Sequence, residues 1–373
     1  MEELLLSLDD NENAADTIAY ADDIMLVIQG NSRTELQRKT NDVLNHVMSW
    51  CDLVKLKISA EKTTYVLMKG NLQRDPLIRI RDQRISRKKV VKYLGVKLDE
   101  KLNFHQHIEE ACNKAASMMQ KIATISQRHY KIPLQCVRLY MNVVLTSIVG
   151  YGASAWASRL GQRVKLQERI NRVQRGVLVR LTGAFKTTST EALCVVTGIM
   201  PLNLEVLRRA AMYWVRKNNP NKVEEILGRP ANTKREINTI ILDRWQREWT
   251  SSTKGRRLYG LLPDVRRQLR NVHHQPSQGL IHFLTGHGPC AEHLARFNLQ
   301  ATDHCECGAT GTPEHVVLEC PNTEGIAAEE RAVLRGMNTR DIIQDGILLP
   351  VLDQLANKIS RHHYSIYRRD VQH

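Results

Sequence analysis

The sequence predicts an α+β fold, mixed near the N-terminus and helical beyond it. Three observations carry this. Residues 16–30, DTIAYADDIMLVIQG, set two short apolar runs around a carboxylate pair, the pattern of strand, tight turn and strand. From about residue 104 to 217 apolar residues recur instead at three- and four-residue spacing. Cys305, Cys307, His315 and Cys320 then crowd into a stretch too short for a core of its own.

In chain order, the hairpin carries Asp22 and Asp23 at its turn. Ser32 and Glu35 follow with capping-box spacing, and Leu36, Val43, Leu44, Val47, Met48 and Cys51 recur at helical intervals. A helix of about four or five turns is expected there. TTYVLMK (63–69) reads as a strand, and IRIRDQRI and VVKYLGVKLD add two or three more. In the helical region Pro133 and Pro201 suit first helical positions, and Gly183 and Gly198 suit helix ends. Residues 163–181 carry an apolar stripe of Leu166, Ile170, Val173, Val177 and Leu181, with arginines on the other faces. Residues 218–283 are polar, basic and weakly periodic, with Trp245 and Trp249 as anchors; they read as a linker with short helices. A Cys/His segment spans 284–325 and a helical tail closes the chain.

The 373 residues have a formal charge of +15. So basic a chain is expected to meet a polyanion, nucleic acid before an anionic membrane. No apolar run reaches the length of a spanning helix, and the first residues lack the basic start and cleavage site of a signal peptide. Five of the eight cysteines are scattered singly, which argues for a reducing compartment with one metal site rather than a disulfide framework.

Aspartate is a common turn residue, so Asp22 and Asp23 have a purely local explanation. The apolar flanks argue for more. A turn walled by Ile18, Tyr20, Ile24 and Leu26 is expected to point into a protected cleft, where paired carboxylates need a compensating cation. Mg²⁺ suits such oxygen ligands. A two-metal site activates an attacking hydroxyl and steadies a leaving pyrophosphate. Further on, RIRDQRISRKKVVK (79–92) carries Arg84, Arg87, Lys88 and Lys89 among its cations against one acid, Asp82. It reads as a phosphate-contacting surface or as a solvated edge hairpin.

AYADDIMLVI resembles the YADD motif of reverse transcriptases, the hairpin at the floor of the polymerase palm. WCDLVKLKISAEKTTYVLMKG resembles the helix, turn and strand that follow it in non-LTR retrotransposon enzymes, with Lys62 at the lysine of their N-x-x-K-T segment. VKYLGVKLDEKLNFHQHI resembles their primer-grip hairpin and the start of the thumb; YGASAWA, GIMPL, LTGHG and CECGATGTPEHVVLEC also match. The likeness covers nearly the whole chain and is to the clade of type I elements that insert into arthropod ribosomal DNA.

The resemblance implies a partial palm over 1–103, a helical thumb over 104–217, a basic linker over 218–283, a zinc-binding segment over 284–325 and a helical tail over 326–373. By it, Asp22 and Asp23 bind Mg²⁺; successive strand residues face opposite ways, so one of the two is expected to be the stronger ligand, and in the family it is the first, here Asp22. Tyr20 lies near the incoming nucleotide or template-primer. Lys62 orients or protonates the pyrophosphate, or is a solvated turn lysine. Arg169 and Arg172 lie on a thumb helix that tracks a duplex backbone, or on a plain surface helix. The partners implied are an RNA template, a DNA primer or target and dNTPs, with no membrane. The place of action implied is the nucleus, at the target DNA, after cytoplasmic synthesis. A working palm also needs a third aspartate on an earlier strand. Met1 is therefore expected to be internal, and the chain a fragment of a polyprotein with fingers and an endonuclease, inactive alone. The alternative is a non-enzymatic RNA- or DNA-binding module using the thumb and cysteine cluster.

The cysteine spacing is C-x-C-x₇-H-x₄-C, which suits a closed Cys₃His zinc site. Cys305 and Cys307, two apart in an extended segment, are expected to face one ion. Gly308 and Gly311 ease the following turn, and His315 and Cys320 close the site from a short helix begun near Pro313. His304 and Cys290 are possible substitutes.

Overall fold

The structure is a computed structural model that describes residues 2–9, 16–68, 70–129, 136, 139–161, 163–270 and 275–370. Pro133 lies outside them. The chain divides into two compact units, Met1–His107 and Ile108–His373. The fold is α+β, with the strands among the described residues confined to the first unit.

In the first unit, helix α1 (Glu2–Asp9) precedes the hairpin β1 (Asp16–Tyr20) and β2 (Asp23–Val27). Helix α2 (Arg33–Leu53) starts at Ser32, whose hydroxyl accepts from the Glu35 N–H. The Glu35 carboxylate reaches back to the Asn31 N–H at 2.8 Å, completing a box one residue wider than the usual form. Val43, Val47 and Cys51 of α2 meet Leu4 and Leu8 of α1, and Ile24, Leu26 and Ile28 pack onto them. Two further hairpins follow: β3 (Arg79–Ile80) with β4 (Gln83–Arg84), and β5 (Val90–Tyr93) with β6 (Val96–Asp99). Leu94 and Gly95 both take positive φ at the second turn, as a two-residue turn of mirror-image type requires.

The strand expected over 63–69 does not form. Tyr65 makes one isolated bridge with Arg87, and each hairpin is a separate two-stranded sheet. A β-prone run becomes a strand only where a partner edge pairs along it. Here a single Lys88 N–H to Tyr65 O bond of 2.8 Å is well formed.

The second unit is helical. It holds α3 (His105–His129, continuing from the unit boundary), a π turn (Met141–Leu145) running into α4 (Thr146–Val149), α5 (Ala153–Leu160), α6 (Val164–Thr182), α7 (Thr190–Thr197) and α8 (Leu202–Arg216). Gly183 and Gly198 end α6 and α7 in the left-handed conformation, as expected. Pro201 sits at the N-cap of α8, one residue before the helix. Leu166, Ile170, Val173 and Val177 are buried, as the stripe predicts.

Residues 218–283 are more than a linker. They fold into α9 (Pro220–Leu227), α10 (Lys234–Ser251), α11 (Arg256–Leu261), α12 (Val265–Arg270) and the start of α13 (Gln278–Thr285). Ile237, Ile240, Ile241, Trp245 and Trp249 bury one face of α10. The weak periodicity reflects bulky anchors standing in for a continuous aliphatic stripe. The remaining helices are α14 (Ala291–Arg296), α15 (Ala328–Leu334), α16 (Thr339–Gln344) and α17 (Leu348–Asp370), which packs on α13, α15 and α16. No single described helix is long and apolar enough to cross a membrane.

Candidate functional site

The carboxylate hairpin comes first. Its register pairs Tyr20 with Asp23, Ala19 with Ile24, Ile18 with Met25 and Thr17 with Leu26. Alternation then puts Thr17, Ala19, Ile24 and Leu26 on the core side, and Ile18, Tyr20, Asp23 and Met25 on the other. This corrects the expected walls of a cleft: Ile18 and Tyr20 lie opposite Ile24 and Leu26, and Tyr20 is 66% exposed. Asp22 and Asp23 are exposed as well. The hairpin has one packed face, and its tip is exposed among the described residues of the first unit. Asp22 lies in the turn after Ala21, not on a strand. Strand alternation therefore does not rank the two aspartates. Ala21 holds a left-handed φ of 54°.

Among the described residues no third carboxylate joins this pair in a metal-binding cluster. The two side chains are hard oxygen donors and fit part of a Mg²⁺ coordination shell. Lys62 is exposed in the turn after α2, where its N–H approaches Ser59 Oγ at 3.4 Å.

The basic run is not uniform. Arg84, Lys88 and Lys89 are exposed. Arg84 pairs directly across the ladder from Arg79, a like-charge pairing that costs stability unless an anion relieves it. Arg87 differs: its guanidinium bridges Asp75 at 2.7 Å and Glu100 at 2.6 Å. These carboxylates hold its pKa above the ordinary arginine value. Arg87 thus differs from its exposed neighbours in having carboxylate partners within the first unit. In the second unit Arg169 donates to Asn113 Oδ1 at 2.5 Å, whereas Arg172 is exposed.

The cysteine cluster is the most complete constellation. Cys305, Cys307, His315 and Cys320 bring four ligand atoms within 4.8 Å of one another. Cys305 Sγ lies 3.6 Å from Cys320 Sγ, and Cys307 Sγ lies 3.1 Å from His315 Nε2. Cys305 and Cys307 sit on a tight turn, not on the extended segment expected. The Gly308 N–H donates to Cys305 O at 2.8 Å and the Cys305 N–H to Ala309 O at 2.7 Å. A φ of +92° at Gly308 makes that reversal cheap for glycine. Gly311 meets a different demand: a Cβ there would stand 2.6 Å from Ala291 Cβ of α14. His315 opens a π turn (His315–Glu319), and Cys320 caps it with its N–H on His315 O at 2.7 Å.

Burial pushes the Cys305 thiol up to about 11, while the Ala309 N–H helps hold Cys307 below its ordinary value. The donor set of three sulfurs and one imidazole fits zinc. His304 pairs with Asp303, and Cys290 is buried at the start of α14; neither joins the cluster.

The sequence reading passed over Arg331. Its guanidinium donates to Cys320 O at 2.8 Å, to Val317 O at 2.9 Å and to Thr323 Oγ1 at 2.7 Å. The available signal was an arginine at helical spacing between Ala327 and Leu334, where the stripe calls for an apolar residue. A second group was also unread. His293 Nδ1 donates to Gly288 O at 2.8 Å, which leaves Nε2 to accept from the Thr187 hydroxyl at 3.0 Å. Thr187 then accepts from His287 Nδ1 at 2.8 Å.

Comparison with known proteins matches residues 1–98 to the family described as reverse transcriptase (RNA-dependent DNA polymerase). A Retrovirus-related Pol polyprotein from type-1 retrotransposable element R1 of Bradysia coprophila is 32% identical over 83% of this chain and 32% of its own length. Residues 1–98 thus match a reverse-transcriptase domain, and most of the chain is similar to R1-type Pol polyproteins. A Pol polyprotein from element R1 2 of Nasonia vitripennis is 28% identical over 81% of the chain and 77% of its own length. A putative 115 kDa protein in element R1DM of Drosophila melanogaster is 27% identical over 81% of the chain and 30% of its own length. The chain thus spans about a third of the Bradysia and Drosophila relatives, and most of the Nasonia one. No solved structure matches it. The R1-type likeness covers 83% of the chain, so it extends well past residue 98 into the helical unit.

Proposed function

We propose that the chain supplies the palm hairpin, the thumb and the C-terminal zinc segment of an RNA-directed DNA polymerase that copies element RNA into DNA at a nicked target. The observation that carries this is the YADD hairpin. It presents Tyr20, Asp22 and Asp23 at an exposed tip, inside the reverse-transcriptase match. When bound, paired Mg²⁺ ions activate the primer hydroxyl and steady the leaving pyrophosphate. Asp22 and Asp23 hold them, together with an aspartate on an earlier palm strand. Tyr20, on the same face as Asp23, borders the nucleotide or primer. Lys62 meets the pyrophosphate. Arg84, Lys88, Lys89 and Arg172 contact phosphate, and Arg169 orients toward it from Asn113. Residues 1–103 form the palm part, 104–217 the thumb and 284–325 a zinc-bound nucleic-acid clamp. The work takes place in the nucleus at the target DNA, after cytoplasmic synthesis, within a polyprotein that also carries an endonuclease.

The test is primer extension on an RNA template by the chain joined to the fingers and first palm strand of an R1-type relative. Extension lost with Asp22→Ala supports the reading, and normal extension by that variant defeats it. That no third carboxylate joins Asp22 and Asp23 among the described residues favours a second reading for the chain by itself, a binding module without catalysis. Tight binding of an RNA–DNA hybrid by the 373-residue chain, with no extension, is expected on either view; extension only in the joined protein selects the polymerase.

A further inference from the structure

We propose that Arg331 is a positioning residue that supplies the counter-charge of the cysteine–histidine metal centre. This rests on the zinc reading of that cluster. Arg331 is 5% exposed, and it is the only buried lysine or arginine among the described residues. Taking a guanidinium out of water is costly unless a negative charge compensates it. Elsewhere the chain provides one: Arg87 has Asp75 and Glu100, Arg257 has Glu314, and Arg208 has Glu205. Arg331 has no carboxylate within ion-pair distance among the described residues; its hydrogen bonds go to two carbonyl oxygens and a hydroxyl.

Those acceptors identify what it faces. Val317 O and Cys320 O belong to the turn that presents His315 and Cys320, and Thr323 Oγ1 is itself bonded to Cys320 O and Val316 O at 3.1 Å. The guanidinium is therefore fastened to the backbone of one ligand residue. Three thiolates around a dication, with a neutral imidazole, leave one net negative charge on the centre. Arg331 brings one positive charge to its buried side, beside Cys320. The guanidinium is poorly solvated alone, and the two charges balance. Its fan of donors also fixes the backbone of the turn carrying Cys320, as outer groups fix metal ligands generally.

The experiment measures zinc affinity of the full 373-residue chain against a competing chelator, with cobalt substitution reporting the thiolate-to-metal absorption. The wild type is expected to hold one tight zinc. Arg331→Gln removes the charge but keeps a donor; Arg331→Lys keeps the charge with fewer donors. The expected result is a loss of roughly ten- to a hundredfold for the glutamine variant and a much smaller loss for lysine. The same pair is then measured in a Cys307→His background, whose two thiolates and two imidazoles leave no net charge on the centre. There the glutamine penalty should largely vanish. Equal losses for Gln and Lys, or the same glutamine penalty in both backgrounds, would overturn the counter-charge role and leave Arg331 a hydrogen-bonding strut. A wild-type chain that takes up no zinc fails at the first measurement and removes the zinc reading, and this inference with it.

Discussion

Asp22 and Asp23 are consecutive, yet they occupy different structures, one in a turn and one opening a strand. In the polymerase assembled as described above, Asp22→Ala should reduce extension at least a thousandfold, ~4 kcal/mol of transition-state stabilisation. Hybrid binding should stay within about twofold, because it rests on the basic surface. Asp23→Ala should also impair extension. Rates for both variants, measured at saturating template, check this. The basic run makes a complementary prediction. Lys88→Ala with Lys89→Ala should weaken hybrid binding and flatten its salt dependence, leaving the melting temperature nearly unchanged. Arg87→Ala should instead destabilise the first unit, by about 1 kcal/mol at low salt, through loss of its two carboxylate contacts. Titrations at several salt concentrations, paired with thermal melts, separate the two. From the sequence, Arg87 and Lys88 are indistinguishable neighbours. Only the fold shows that Asp75 and Glu100 converge on one of them.

Among elements, the hairpin, α2 and the zinc turn were legible because their signals are local: a capping residue, a period, a ligand spacing. The strand expected at 63–69 was not, since strand formation depends on a distant edge. The α10 core was likewise hidden, because Trp245 and Trp249 do with two large side chains what a stripe does with many. The loop after α6 shows how elements are tied. Gly183 has a φ of +68°, and an added Cβ would stand 2.8 Å from the Gln278 side chain. Gly183→Ala should cost about 1–2 kcal/mol and lower the melting temperature by a few degrees. Burial also pushes His282 and His287 down to about 4, and lowers His293. An unfolded chain would protonate these rings near pH 6.5, while the folded one resists. Their contribution is therefore complete above about pH 6.5 and is lost as pH falls towards 4. Melting curves across that window should show the decline, and His287→Gln should reduce its slope.

For the molecule as a whole, the net charge of +15 pointed to a polyanion, and the reverse-transcriptase match of residues 1–98 agrees with it. What composition could not show is how the cysteine segment is held. It was read as a small bead with little core. In the structure the Glu292 N–H donates to Gly311 O, Arg257 reaches Glu314, and α17 packs against the turns on either side of Cys320. Metal loss should therefore be felt well beyond residues 284–325. Calorimetry of the chain with chelator should show the transition of the second unit shifting down as one event. A small separate transition, with the rest unmoved, would show the segment to be an independent bead.

The close approach of Gly311 to Ala291 has a consequence for any strand engaged at the cysteines. Arg175 of α6 clasps the Lys186 and Thr188 carbonyls, and Thr187 between them binds His287 and His293 beside Ala291. Direct contact thus runs unbroken from the arginine-bearing helix to the metal-binding turn. Such a frame works as a caliper. Under the proposed function, two stretches of nucleic acid held at its ends would keep one separation, set by the protein and not by the sequence between them.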